Sequence, residues 1–177
     1  MAVRNIITYG NPVLRMKARR IERIDGSIRK LVDDMIDTMQ SADGIGLAAP
    51  QVAQSIALCI VNMHMITEGE PPKAFLNPEI VAEEGTHIME EGCLSIPDIR
   101  EEVTRAETIK IKYRDLDGVE HEEICSQMLA RVLQHEVDHI NGVLFIDRIT
   151  PIRRKLLGKK LRAIAAESRS GADVESR

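Results

Sequence analysis

The chain has 177 residues, 44% of them apolar and 29% charged, enough for one domain with its own core and too few for two ordinary ones. That balance excludes a disordered chain, no apolar run approaches the ~20 residues of a spanning helix, and a net charge of −4 gives no general pull toward nucleic acid or anionic lipid. With 2% aromatic residues and no Trp, the core must come from Ile, Leu, Val, Met and Ala. In chain order, the first predicted element is a helix over 27–41. Ile28, Leu31, Val32, Met35, Ile36 and Met39 recur at helical spacing, and Gly44 lies just past its end. Residues 56–61 form a short apolar run that reads as a buried strand. Residues 108–113 alternate apolar and polar as a half-exposed strand does, and Asp117-Gly118 is a turn into a partner strand over 119–125. A second helix is predicted over 126–141, with Ser126 as N-cap and Gly142 at the left-handed C′ position. A third, over 150–166, starts at Thr150 with Pro151 in its first turn. The Ser-, Gly- and charge-rich stretch 167–177 reads as a flexible tail. Strands in the middle with helices at both ends imply one α+β domain over 1–166: a mostly antiparallel sheet packed around a central metal-binding helix, with an N-terminal and a C-terminal helix.

The metal reading comes from His135-Glu136-Val137-Asp138-His139. Two histidines four apart lie one above the other on a helix face and can reach one cation, and the Glu beside the first is placed to take a proton from an activated water. Leu129, Leu133, Glu136 and Ile140 share one stripe by spacing, so Glu136 should be buried, which is costly for a carboxylate without a partner or a task.

Hydrolytic metals take three protein ligands and keep one position open. Candidates for the third are His64, His87, His121 and the cysteines Cys59, Cys93 and Cys125. Cys93 is the best placed, between Gly92, which permits an unusual turn, and Pro97, which should end any regular structure. Cys59 lies inside an apolar run and reads as core packing; Cys125 ends a strand near the metal helix and stays a rival. The odd cysteine count and the lack of an export signal imply a reducing cytoplasm rather than a disulfide framework. In residues 44–51 two Gly and two Ala allow close approach of a backbone or ligand, and Gln51 is the one polar side chain, with an amide able to donate to an oxyanion.

Together these segments resemble the peptide deformylase family, whose patterns are G-Φ-G-L-A-A-x-Q (Φ apolar), E-G-C-L-S and Q-H-E-x-D-H-x-x-G. They stand here at 44–51, 91–95 and 134–142, in order and without departure. The likeness runs from Gly10-Asn11-Pro12-Val13-Leu14-Arg15 to the C-terminal helix and is to the short bacterial type. It implies removal of the formyl group from the N-terminal formyl-methionine of new proteins. It also implies one divalent metal on Cys93, His135 and His139, natively Fe2+ and replaceable by Zn2+ or Ni2+. Glu136 would be general base and then acid, with Gln51 and the Leu94 N–H holding the oxyanion. Ile45, Met89, Met128 and Val132 would line the methionine pocket, the Ile45 and Gly46 backbone would pair with the peptide, and Arg100 would contact it further along.

The third helix carries Arg153, Arg154, Lys155, Lys159, Lys160 and Arg162 without an acid, while Ile152, Leu156, Leu157 and Leu161 can dock on the body. Contact with the ribosome is one expectation for that face and a solvated surface is the other. Partners are thus formyl-methionyl nascent peptides and, through this helix, the ribosome, with no membrane and a monomeric chain. The competing functions are an H-E-x-x-H peptidase, which would need a His, Glu or Asp as third ligand, and a non-catalytic binding module, which would be marked by loss of Glu136, Gln51 or Cys93.

Overall fold

The computed structural model describes residues 2–174. Helix α1 (Gly26–Ser41) precedes strands β1 (Gly46–Ala48), β2 (Leu58–Val61), β3 (Lys73–Glu84), β4 (His87–Cys93), β5 (Ile96–Arg105), β6 (Thr108–Arg114) and β7 (Glu120–Ser126). Helices α2 (Gln127–Ile140), α3 (Pro151–Leu156) and α4 (Gly158–Val174) follow. The fold is α+β. A five-stranded sheet runs in the order β1-β2-β3-β6-β7 and a separate two-stranded hairpin pairs β4 with β5, every pair antiparallel.

The run at 58–61 is apolar throughout because both its faces are covered. Leu58 and Ile60 join Leu31, Val32, Met35 and Met39 of α1 on one side. Cys59 and Val61 point the other way, to Ala130, Val132, Leu133, Val137 and Ile140 of α2. The sheet is therefore held between two helices, with α2 across its inner face. A third cluster sets Ile96, Ile99 and Val103 of β5 against Leu144, Phe145, Ile146 and Leu161 from the C-terminal part.

Asp25 caps α1 by accepting from the Ser27 and Ile28 N–H groups. Beyond α1 it is Asp43, at φ 50, that takes the left-handed conformation. Gly44 follows it and donates its N–H to the Met39 carbonyl at 2.9 Å, so the predicted glycine stands one residue past the turn that closes the helix. At α2 the prediction holds: Gly142 has φ 74, and a Cβ there would lie 2.6 Å from the Arg15 carbonyl oxygen. Ser126 is the N-cap residue of α2 but its side chain makes no capping bond.

Strands β1, β3, β4 and β5 were not legible. Pro97 lies inside β5 rather than ending regular structure. It falls where the β4–β5 register shifts, between the Cys93↔Ile96 and Gly92↔Arg100 pairs, a position where a missing N–H breaks no ladder bond. The predicted third helix is two, interrupted at Leu157. The interruption turns α3 so that Ile152 and Leu156 are exposed, while Leu161 of α4 is buried; only part of the predicted apolar side docks. The stretch read as a tail from 167 is helical through Val174, where Ala165, Ala166 and Glu167 are good helix formers; 175–177 lie outside the described residues. No helix among the described residues is long and apolar enough to cross a membrane.

Candidate metal centre

The helix period sets Met128, Arg131, Val132 and His135 on one face of α2, and all four line a cleft of about 820 Å³. Its other walls come from the loop and strand at Gly44, Ile45 and Gly46, from β4 at Met89, and from the β4–β5 turn and β5 at Cys93, Leu94, Ile99 and Arg100. Cys93 and His135, which both line it, and His139 bring their ligand atoms within 4.8 Å of one another. Cys93 Sγ lies 3.2 Å from His139 Nε2. His135 turns Nδ1 to Glu91 Oε2 at 3.1 Å, which leaves its Nε2 for the site. The rival ligands lie elsewhere: Cys59 and Cys125 are buried in the core, His121 pairs with Asp115, His64 accepts from the Gly69 N–H, and His87 is exposed at the start of β4.

These residues fit a transition-metal cation. One thiolate and two imidazoles suit iron, nickel or zinc and not magnesium or calcium, and three protein ligands leave a position for water or substrate. The electrostatics agree. Burial works against a charge on His135, yet Cys93 and Glu91 beside it outweigh burial and lift the imidazole to about 10. Burial, then His135 and Arg105, push His139 well below its usual value. The two imidazoles meet edge to face, with ring centroids 5.0 Å apart.

Glu136 is 3% exposed and its Oε2 is without a hydrogen-bond partner. Burial raises its carboxyl to about 7, with nearby His135 and Arg105 opposing. It can sit there because β1 passes it at Gly46. A Cβ on Gly46 would collide with the Glu136 carboxylate and lie 2.8 Å from Val132 Cγ1. Gln51, 2% exposed, accepts from the Ala48 N–H at 2.9 Å. That contact fixes the amide so that Nε2 faces Ser95 Oγ at 3.2 Å and Cys93 Sγ at 3.6 Å. Leu94 is at the β4–β5 turn beside Cys93.

Behind the ligands is a layer that sequence reasoning missed. Glu91 accepts from Arg105 Nε at 2.6 Å and Nη2 at 2.8 Å, and from Arg131 Nη1 at 2.5 Å. Arg105 Nη1 reaches Asp138 at 2.8 Å, and Arg148 holds the same carboxylate through Nε and Nη2. Burial would raise the Glu91 carboxyl, but His135 and Arg105 bring it down to about 2. Such outer partners fix the orientation of a ligating histidine. The available signal was the spacing of Arg131 and His135 on one face of α2. The predicted residues Ile45, Gly46, Met89, Arg100, Met128 and Val132 all line the cleft, as do Met65, Pro97 and Ile99, which were not anticipated.

Residues 3–155 match the family described as Polypeptide deformylase. The chain belongs to that family. Peptide deformylase from Chlorobaculum tepidum is 47% identical over 170 residues, covering 95% of this chain and 90% of that one. Peptide deformylase from Mesorhizobium japonicum is 41% identical over 97% of this chain and 98% of its own. Among solved deformylases, Arabidopsis thaliana peptide deformylase 1B in complex with an inhibitor superposes with a TM-score of 0.88 at 36% identity, over 98% of this chain and 99% of that one. The Synechococcus elongatus enzyme in complex with actinonin gives 0.82 at 40% identity, over 88% and 86%. The deformylase fold and a Cys-His-His group able to hold a metal ion thus occur together in this chain.

Proposed function

We propose that this chain is the enzyme that removes the formyl group from the N-terminal formyl-methionine of newly synthesised polypeptides, giving formate and a free N-terminal Met. The observation that carries the reading is Glu136, a buried carboxylate with one unpartnered oxygen, facing a cleft beside Cys93, His135 and His139. Cys93, His135 and His139 would hold one divalent cation, Fe2+ natively with Zn2+ or Ni2+ as substitutes, and it would supply Lewis-acid polarisation of water and of the formyl carbonyl. Glu136 takes the proton from the attacking water and delivers it to the amine nitrogen as the C–N bond breaks. The Gln51 Nε2–H and the Leu94 N–H meet the charge developing on the formyl oxygen, each contributing about 3 kcal/mol to the barrier reduction. The Ile45 and Gly46 backbone pairs with the extended peptide, Met89, Met128 and Val132 pack its first side chain, and Arg100 contacts residues further along.

Formate release from formyl-Met-Ala-Ser by anaerobic iron-loaded protein tests the reading. It should be rapid, stop on chelation and return with Fe2+, while Met-Ala-Ser should be left intact. A correctly metallated protein that releases no formate would leave a binding module as the better account. The iron form should also lose activity faster in air than under nitrogen, because a thiolate beside a redox-active cation is open to oxidation; equal decay rates would refute native iron chemistry of this kind.

The proposed setting is the cytoplasm, as a monomer, with the basic face of α3 and α4 against ribosomal RNA. Arg153 and Arg154 are tied to Glu101 and Asp147, whereas Lys155, Lys159 and Lys160 are exposed. Truncation after Thr150 should reduce cosedimentation with ribosomes, most at low salt; unchanged cosedimentation would remove this partner.

A further inference from the structure

Of the charged side chains lining the cleft, Arg131 is the buried arginine, 5% exposed, while Arg100 is a rim residue with 69% of its side chain exposed. Arg131 starts on α2 and ends on the hairpin opposite. Its Nη1 donates to Glu91 Oε1 at 2.5 Å and to the Val103 carbonyl at 3.2 Å. Its Nη2 donates to the His87 carbonyl at 2.6 Å. The anchors lie on both strands, β4 and β5, so the side chain crosses from one wall of the cleft to the other.

Position adds to this. Arg131 is four residues before His135, ~6 Å along the helix axis, about the reach of an unbranched side chain whose carbonyl group sits at the metal centre. Met89, Met128, Val132 and Arg131 line the same cleft, so a side chain packed among the first three has the strut as a neighbour. A guanidinium with its planar fork held at three points cannot swing aside as a free lysine or methionine would.

Resting on the deformylase reading above, we propose that Arg131 is a specificity-determining residue. It is a fixed strut that closes the pocket for the first substrate side chain and limits that side chain to about the length of methionine. Opening the strut should admit longer side chains without improving methionine itself. A group of one or two carbons in an apolar pocket changes kcat/KM by about tenfold or more, which sets the scale of the test.

The experiment compares kcat/KM for formyl-Met-Ala-Ser and formyl-homophenylalanine-Ala-Ser, using metal-loaded wild type, Arg131→Ala and Arg131→Met. Wild type should favour methionine by at least about tenfold, and Arg131→Ala should shrink that ratio by a similar factor. Arg131→Met keeps apolar bulk and helix propensity and should shrink it less; it also serves if Arg131→Ala does not fold. A wild-type ratio below about tenfold overturns the proposal, whatever the variants do. So does an equal fall for both substrates in the variants, which would mean that Arg131 only supports Glu91 and His135. Failure of wild type to release formate from formyl-Met-Ala-Ser is a different result and removes the activity itself.

Discussion

Glu136→Gln should lower kcat/KM for formyl-Met-Ala-Ser by about 10²- to 10⁴-fold, the usual loss when a positioned acid–base group is removed, while the metal content stays that of wild type. Glutamine keeps the shape of the side chain and the packing against Gly46 and Val132. It cannot accept a proton from water at neutral pH. The same change should raise the melting temperature or leave it unchanged, because it removes a buried carboxylate whose Oε2 has no hydrogen-bond partner. Loss of activity with retained metal and undiminished stability separates a chemical role from a structural one. Formate assays, metal analysis and thermal unfolding on one preparation check all three. A variant within tenfold of wild type would mean that the proton travels by another route.

Gly46→Ala should be nearly as damaging, although it removes no functional group. The added methyl would overlap the Glu136 carboxylate and crowd Val132 Cγ1 at 2.8 Å. Either β1 withdraws or Glu136 moves, and a displacement of ~1 Å at reacting groups costs on the order of 10²-fold in rate. Overpacking should also cost about 1–3 kcal/mol of stability. Gly44→Ala is the natural comparison. There the methyl would meet Leu94 Cδ1 at 3.1 Å, Met39 Cγ at 3.2 Å and the Met39 carbonyl oxygen at 3.3 Å, all looser than the contacts at Gly46 and none of them Glu136, so its loss of activity should be several-fold smaller. Equal activity of Gly46→Ala and wild type would show that β1 is free to relax away from α2.

What the sequence disclosed followed from periodicity. The α1 stripe, the β6–β7 pair and the histidine face of α2 each repeat a local pattern, and each is where the pattern put it. Strands β3, β4 and β5 escaped because their apolar positions are set by partners far along the chain. Ile96, Ile99 and Val103, for example, are buried by residues of 144–161, and the register shift near Pro97 breaks the alternation that would have marked β5. At the site, the motifs deliver the candidate ligands and the proposed base but not what supports them. Arg105 and Arg148 look like ordinary surface charges in sequence, and only the fold sets them against Glu91 and Asp138. The break at Leu157 was hidden because the composition on both sides of it is helical.

The hairpin of β4 and β5 belongs to no larger sheet, yet it supplies Cys93 while α2 supplies both histidines. Two pieces of the fold without a shared strand ladder thus meet across the Cys93, His135 and His139 group and a layer of ion pairs. A cation held by those three residues would act as a rivet: part of its binding free energy would become local stability of the hairpin. Chelation should leave amide exchange in β2, buried on both faces, slow, and should speed it in β4 and β5, so that the first segment to open on metal loss is the one that carries the thiolate.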